Sequence, residues 1–348
     1  MPRNILIIDR HKNNMGIYER MKEDWQTYCL MSSIIYVEEM HKPLENIQIK
    51  RYKKRIYKCK CFGSTSINMV NKEFLDKFLN ITKKWENKLK KRFIGEKFNK
   101  VKIDKYSGQY KIILTPTWLG YILKECGKIP NKYSFESGIK RINAIKQKRN
   151  EKVIIDKNKF LYSIFEKDKF LAAGAFIISM DLECRGVQTG EVSLCMSEKY
   201  KDFLDFMLKI AKRWNWTNNK KLSLVSIEYS KNIGIMANPQ YEFRINMLGL
   251  KEIYALASPL AITRKDRCVK FHIERSNKYK NLGYNHMKNN TKMKIFKALK
   301  KNKSMTSTDL QFIAGVRVDV VLDHLHNLEN ERKIKKIRVG KGYIWSIK

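Results

Sequence analysis

"FLDKFLNITKKW" (residues 74–85) and "FLDFMLKIAKRW" (residues 203–214) write one basic, amphipathic helix twice. Seven positions match outright: Phe74/Phe203, Leu75/Leu204, Asp76/Asp205, Leu79/Leu208, Ile81/Ile210, Lys83/Lys212 and Trp85/Trp214. Coincidence between two lysine-rich helices accounts for leucines and lysines, but poorly for two rare tryptophans in register. Internal similarity constrains a whole architecture, and here it extends beyond the helix in both directions.

Downstream of the first copy, "VKIDKYSGQYKIILT" (101–115) reads as strand, turn and strand. Downstream of the second come "LSLVSIEYS" (222–230) and "QYEFRIN" (240–246), so that Gln109-Tyr110 answers Gln240-Tyr241. Each hairpin runs into a short helix, "WLGYILKEC" (118–126) or "GLKEIYALA" (249–257). Upstream lie strand-like segments, "RIYKCKCFG" (55–63) and "GEVSLCMS" (190–197). Before those stand two apolar helices, "YCLMSSIIYVEEM" (28–40) and "FLAAGAFIISMDLE" (170–183). The expected unit is helix, two strands, helix, two strands, helix, an αββαββα arrangement of the α+β class written twice.

The two apolar helices align as Met31 to Glu39 with Ala173 to Asp181. Both carry small residues, Ser32 and Ser33 in one and Gly174 and Ala175 in the other, then an aliphatic stretch and a terminal acid. Small residues on one face allow two helix backbones to approach closely. An acid at a helix C-terminus opposes the macrodipole, and two such acids brought together call for a cation between them.

Doubled in this way, the pattern resembles the LAGLIDADG homing endonucleases in their single-chain, two-repeat form, over roughly residues 16 to 262. The resemblance implies two motif helices packed at a pseudo-two-fold axis in a monomeric pseudo-dimer. It implies sheets forming a saddle along double-stranded DNA, and terminal acids binding Mg2+ at the scissile phosphates. The family's acid falls at the eighth position of the motif, which is Glu38 in the first copy but Met180 in the second. Acids at the ninth position, Glu39 and Asp181, match each other. Either Glu39 and Asp181 form the metal pair after a one-residue adjustment, or the second site has been lost. The family's lysine just past the second strand is carried onto Lys72 and Lys199, positioned to steer water or stabilise charge on phosphate.

The charge agrees with a polyanionic partner. Lys and Arg number 72 against 34 acids, a formal net charge of +38 over 348 residues. Such a chain attracts nucleic acid first, with an anionic membrane surface or a ribosome as rival partners. No apolar run approaches the length of a membrane span, and the start "MPRNILIIDRHK" lacks the apolar core of a signal peptide. Seven cysteines without framework spacing fit a reducing cytoplasm, and no small-molecule cofactor motif is present. Alternation along "YKCKC" puts Cys59 and Cys61 on one face and Lys58 and Lys60 on the other.

Strand alternation assigns the DNA-facing residues. In the first half it turns Lys100 and Lys102 outward and Val101 and Ile103 inward, and Lys50, Arg51, Lys53, Arg55, Lys58 and Lys60 crowd one hairpin as further candidate DNA contacts. In the second half Tyr241, Phe243 and Ile245 face the helices, leaving Glu242, Arg244 and Asn246 for the groove. Lysines would hold phosphates, and arginine and asparagine read base edges.

The chain divides into an N-terminal extension (1–15), a first repeat (16–127), a helical linker (128–165), a second repeat (166–275), a polar linker (276–290) and a last domain (291–348). That last domain reads as three helices and a hairpin, a winged helix with 317–331 as recognition helix and the hairpin as wing. Arg317 and Lys341 are its candidate DNA contacts. Three functions fit: a Mg2+-dependent DNA endonuclease, a regulator that kept the saddle and lost cleavage, and an RNA maturase. The acid in both copies favours the endonuclease.

Overall fold

The computed structural model describes residues 15–38, 45–52, 55–62, 64–105, 107–125, 163–187, 189–225, 239–278, 288–339 and 342–348. The apolar periodicity that suggests two helices at 28–40 and 170–183 produces α2 (Trp25–Glu38) and α5 (Lys169–Glu183), packed on each other. A short α1 (Ile17–Glu23) precedes α2. Asp168 begins α5, its carboxylate accepting from the Leu171 N–H at 2.9 Å, an N-cap of the usual kind.

The second repeat runs α5, β6 (Cys184–Arg185), β7 (Ser193–Ser197), α6 (Lys201–Arg213), β8 (Ser223–Val225), β9 (Gln240–Arg244) and α7 (Met247–Ala257). Its four strands form one antiparallel sheet in the order β6-β7-β9-β8. This is the expected αββαββα unit.

The first repeat differs from expectation. β1 (Glu45–Tyr52) and β2 (Arg55–Phe62) make a separate two-stranded sheet. The counterpart of β7 in the first repeat is therefore not 55–63 but β3 (Thr65–Met69), which pairs with β5 (Tyr110–Leu114) as β7 pairs with β9. The register proves the correspondence: Met69 lies opposite Tyr110, and Met196 opposite Tyr241. β4 (Lys102–Ile103) completes the order β3-β5-β4, with α3 (Lys72–Leu89) and α4 (Pro116–Glu125) behind. β3 buries Thr65, Ile67 and Met69 while Ser66 and Asn68 alternate outward, the half-buried pattern of a strand lying on helices.

The repeated tryptophans perform one task twice. Trp85 Nε1 on α3 donates to the Met21 carbonyl at 2.9 Å, and Trp214 Nε1 after α6 donates to the Phe165 carbonyl at 2.8 Å. Each thereby ties its helix to the segment that leads into the motif helix of its own repeat.

Beyond α7, α8 (Thr263–Lys278) is a helix for which the sequence reading assigns nothing. The C-terminal elements are α9 (Lys288–Asn302), β10 (Ser304–Thr306), α10 (Ser307–Ala314), α11 (Val318–Asn330), β11 (Ile334–Val339) and β12 (Gly342–Ile347). The sheet order β10-β12-β11 adds a strand to the expected hairpin and gives the winged-helix arrangement. Thr306 caps α10 through the Asp309 N–H, and Gly315 ends it at φ 72°, where a side chain would be strained. The residues around Leu299, Leu310, Val321 and Trp345 form a core distinct from that of the two repeats. No helix among the described residues is long and apolar enough to cross a membrane.

Candidate nucleic-acid interface

The C-terminal end of α5 is where the sequence places a metal ligand. Asp181 is fully buried. Its Oδ2 accepts from the Tyr18 hydroxyl at 2.6 Å and from the Ala261 N–H at 2.7 Å, and its Oδ1 accepts from the Ile262 N–H at 3.0 Å. Ala261 and Ile262 immediately precede α8, so the carboxylate sits at a helix N-terminus, where backbone N–H groups and the dipole favour an anion. Glu73 of α3 joins it there, accepting from the Thr263 N–H at 2.6 Å.

The cation for which the helix end calls is supplied by the chain. Lys265 Nζ donates to the carbonyls of Met180 and Asp181 at 2.8 and 2.7 Å, satisfying carbonyls in the last turn of α5. Burial pushes the Asp181 carboxyl up to about 6, against the pull of Tyr18, the two N–H groups and Lys265. A magnesium ion requires open carboxylate oxygens with water beside them. Both Asp181 oxygens are buried and already accept from Tyr18, Ala261 and Ile262, so its surroundings do not fit the ion. Glu39 lies outside the described residues, as does the side chain of Glu38. Among the described residues no cluster of three or more His, Cys, Asp or Glu could hold a metal.

Two residues further on, Glu183 ends α5 at the margin of a cavity of about 350 Å3. Arg185, Cys195, Ser197 and Gln240 line it too, with Arg185 donating to the Gln240 side chain. Cys184 lies in the same wall, its thiol pushed up to about 12 by burial, and the Cys195 thiol is raised for the same reason. Neither is a thiolate at neutral pH. Glu183, Arg185 and Gln240 escape the sequence reading, although alternation from Arg244 through Glu242 reaches Gln240.

The cross-strand register sets Arg185, Ser193 and Arg244 in one row, Cys195, Glu242 and Ser223 in the next, and Ser197, Gln240 and Val225 in a third. Phe243 and Ile245 are buried on the opposite face, as alternation requires. Arg244 is 61% exposed and meets Glu191 at 3.5 Å. Asn246 does not reach this face. It caps α7, accepting from the Gly249 N–H at 2.6 Å and donating to the Asn215 carbonyl at 3.0 Å.

In the first repeat Lys100 and Lys102 are exposed, Lys102 lying opposite Lys111. Ile103 is 63% exposed, contrary to the inward direction alternation assigns, on a two-residue strand at the edge of its sheet. Lys50 and Arg51 fall on β1, and Arg55, Lys58 and Lys60 on β2; their side chains lie outside the described residues, and so do Lys53 and Lys341 entirely. Lys72 begins α3, half exposed and 3.4 Å from Asp76. Lys199 falls in the 3-10 turn Glu198–Tyr200, its side chain outside the described set.

Ser32 and Ser33 are buried in α2, the Ser33 hydroxyl donating to the Leu30 carbonyl at 2.7 Å. Ala175 is buried in α5, and the closest approach to Gly174 comes from α1: a Cβ there would stand 2.4 Å from Ile17 Cδ1. Arg317, the N-cap of α11, meets Asp319 at 3.0 Å and Glu191 of the second repeat at 3.6 Å.

No family model and no curated protein sequence matches this chain. Among solved structures it is similar to I-DmoI in complex with DNA and Mn, at 10% identity and a TM-score of 0.34, over 66% of this chain and 98% of that one. It is also similar to full-length DUF199/WhiA from Thermatoga maritima, at 9% identity and a TM-score of 0.38, over 91% of this chain and 96% of that one. Likenesses of this size say nothing about chemistry.

Proposed function

We propose that this chain is a LAGLIDADG-like protein that binds double-stranded DNA along the outer faces of the β3-β5-β4 and β6-β7-β9-β8 sheets, with Asp181 as a structural joint and not a metal ligand. The observation that carries this reading is the closed hydrogen-bond shell of Asp181 at the start of α8, with Lys265 in the place of a cation. A chain of net charge +38 with exposed Lys102, Arg185 and Arg244 on strand faces turned away from the helices supports a phosphate-bearing partner. The function is then occupancy of a DNA site, as in a regulator.

One observation favours the second reading, metal-dependent cleavage. Glu183 lies at the end of α5 beside Arg185 and Gln240, in a cavity that Asp181 does not reach. In that reading Glu183 takes the role first assigned to Asp181.

Binding itself is tested by titrating a duplex selected from a random pool with the full chain at rising salt. Affinity should fall by roughly three decades between 50 and 200 mM if six or more phosphates are contacted. A flat response would remove the DNA reading.

A further inference from the structure

The charge on the winged helix runs opposite to its usual mode of use. A winged-helix reader lays its third helix in the major groove, N-terminal residues foremost. Here that helix, α11, contains Asp319, Asp323 and Glu329 and no lysine or arginine. Asp319 and Asp323 are exposed near its leading end. Arg317, the one base at that end, is occupied by Asp319 and by Glu191 of the second repeat.

The neighbouring helix is no more available. α8 covers α10: Arg264 donates to the Thr308 hydroxyl at 2.7 Å, Phe271 meets Phe312 edge to face at 5.3 Å, and the Arg267 guanidinium lies 4.0 Å from the Phe312 ring centre. The winged helix is thus docked on the second repeat, with the start of α11 against it.

The wing carries the opposite charge. Lys335, Lys336 and Arg338 on β11 are all exposed. Arg338 pairs across the hairpin with Tyr343, which is 50% exposed, and Lys336 lies over the Tyr343 ring at 5.9 Å while meeting Glu329 at 3.3 Å. Ile337 and Val339 alternate with them, 43% and 55% exposed, apolar surface for which the domain itself has no use.

We propose that the winged helix meets duplex DNA through its wing, β11 and β12, and not through α11. This rests on the DNA-binding reading above and names the surface that domain presents. Phosphates repel Asp319 and Asp323 and attract Lys335, Lys336 and Arg338. The Tyr343 ring and the apolar edge of the hairpin suit sugar and base surfaces within a groove, where a two-stranded ribbon fits as well as a helix does.

The test uses the full chain and a duplex selected by it, read by fluorescence anisotropy across a salt series. K335A/K336A/R338A should weaken binding at least tenfold and lower the salt slope by about 2–3, because each phosphate contact contributes about 0.9. H326A/N327A and D319N/D323N on α11 should leave affinity within twofold and the selected sequence unchanged. These side chains are exposed, and a circular dichroism melt confirms that each variant folds. Altered sequence preference from the α11 variants, with the wing variant unaffected, would overturn the proposal. So would unchanged binding in all three variants, which would leave DNA binding standing but remove the winged helix from it. Failure of the unmodified chain to bind any duplex would instead remove the parent reading.

Discussion

A carboxylate taken fully out of water costs several kcal/mol unless donors replace its hydration. Asp181 has Tyr18, Ala261 and Ile262 for that purpose. In Asp181→Asn an amide NH2 must face at least one of those donors, so the substitution should destabilise the fold by about 1–3 kcal/mol in urea melts. The loss should depend on pH. The Asp181 carboxyl titrates near 6 in the fold and near 3.8 unfolded, so the fold holds that proton more tightly. Its contribution is full below about pH 4 and is lost as pH rises through about 6. The groups facing it are Tyr18, Lys265 and Lys77, and Asn does not titrate. The gap between wild type and variant should widen by about 1 kcal/mol from pH 7.5 to pH 5. A gap that narrows on acidification would mean that Lys265 outweighs burial. Gly174 offers a second residue-scale check. Gly174→Ala drives a methyl into Ile17 and should cost about 1–3 kcal/mol. Combining it with Ile17→Val removes the Cδ1 atom it strikes and should recover part of the loss. An unchanged midpoint for Gly174→Ala would contradict the packing of α1 on α5.

The elements that recur are held by equivalent bonds, and this has a measurable consequence. Trp85→Phe and Trp214→Phe each delete one indole N–H bond to a carbonyl while keeping an aromatic ring. Each should cost about 1–2 kcal/mol, with Trp85 the more costly because it is buried and Trp214 half-buried. A large loss at one and none at the other would break the equivalence. The duplicated helices are legible in the sequence because they are long and amphipathic, and β9 because Phe243 and Ile245 alternate with exposed Arg244. The equivalence of β3 and β7 is obscured by the basic hairpin before β3, whose longer strands attract the assignment. β10 is three residues long and has no period to detect. α8 hides its apolar stripe among Arg264, Lys265, Asp266 and Arg267. The nature of Asp181 was illegible for a different reason: two of its donors lie 80 and 81 residues downstream. A terminal acid reads as a metal ligand until those N–H groups are placed, and Asn246 likewise reads as a groove residue until Gly249 is seen above it.

At the scale of the molecule, α8 joins the parts. Its N-terminus takes acids from both repeats, Glu73 and Asp181, and its outer side carries the winged helix through Phe271 and Arg264. A joint of this kind fixes the winged helix against the second repeat, and in the DNA-binding reading proposed above the sheet of that repeat is a contact surface of its own. Replacing Arg185 and Arg244 together by Ala should therefore reduce DNA affinity and lower the salt slope by up to about 2, without loss of fold. An unchanged slope would take the second-repeat sheet out of contact. Whether the bound site stays intact is read by incubating the selected duplex with the full chain and either magnesium or manganese, under conditions where anisotropy confirms saturation. The duplex should stay uncut with both metals. Metal-dependent cleavage that Glu183→Gln abolishes while binding persists would contradict it and make the chain an endonuclease.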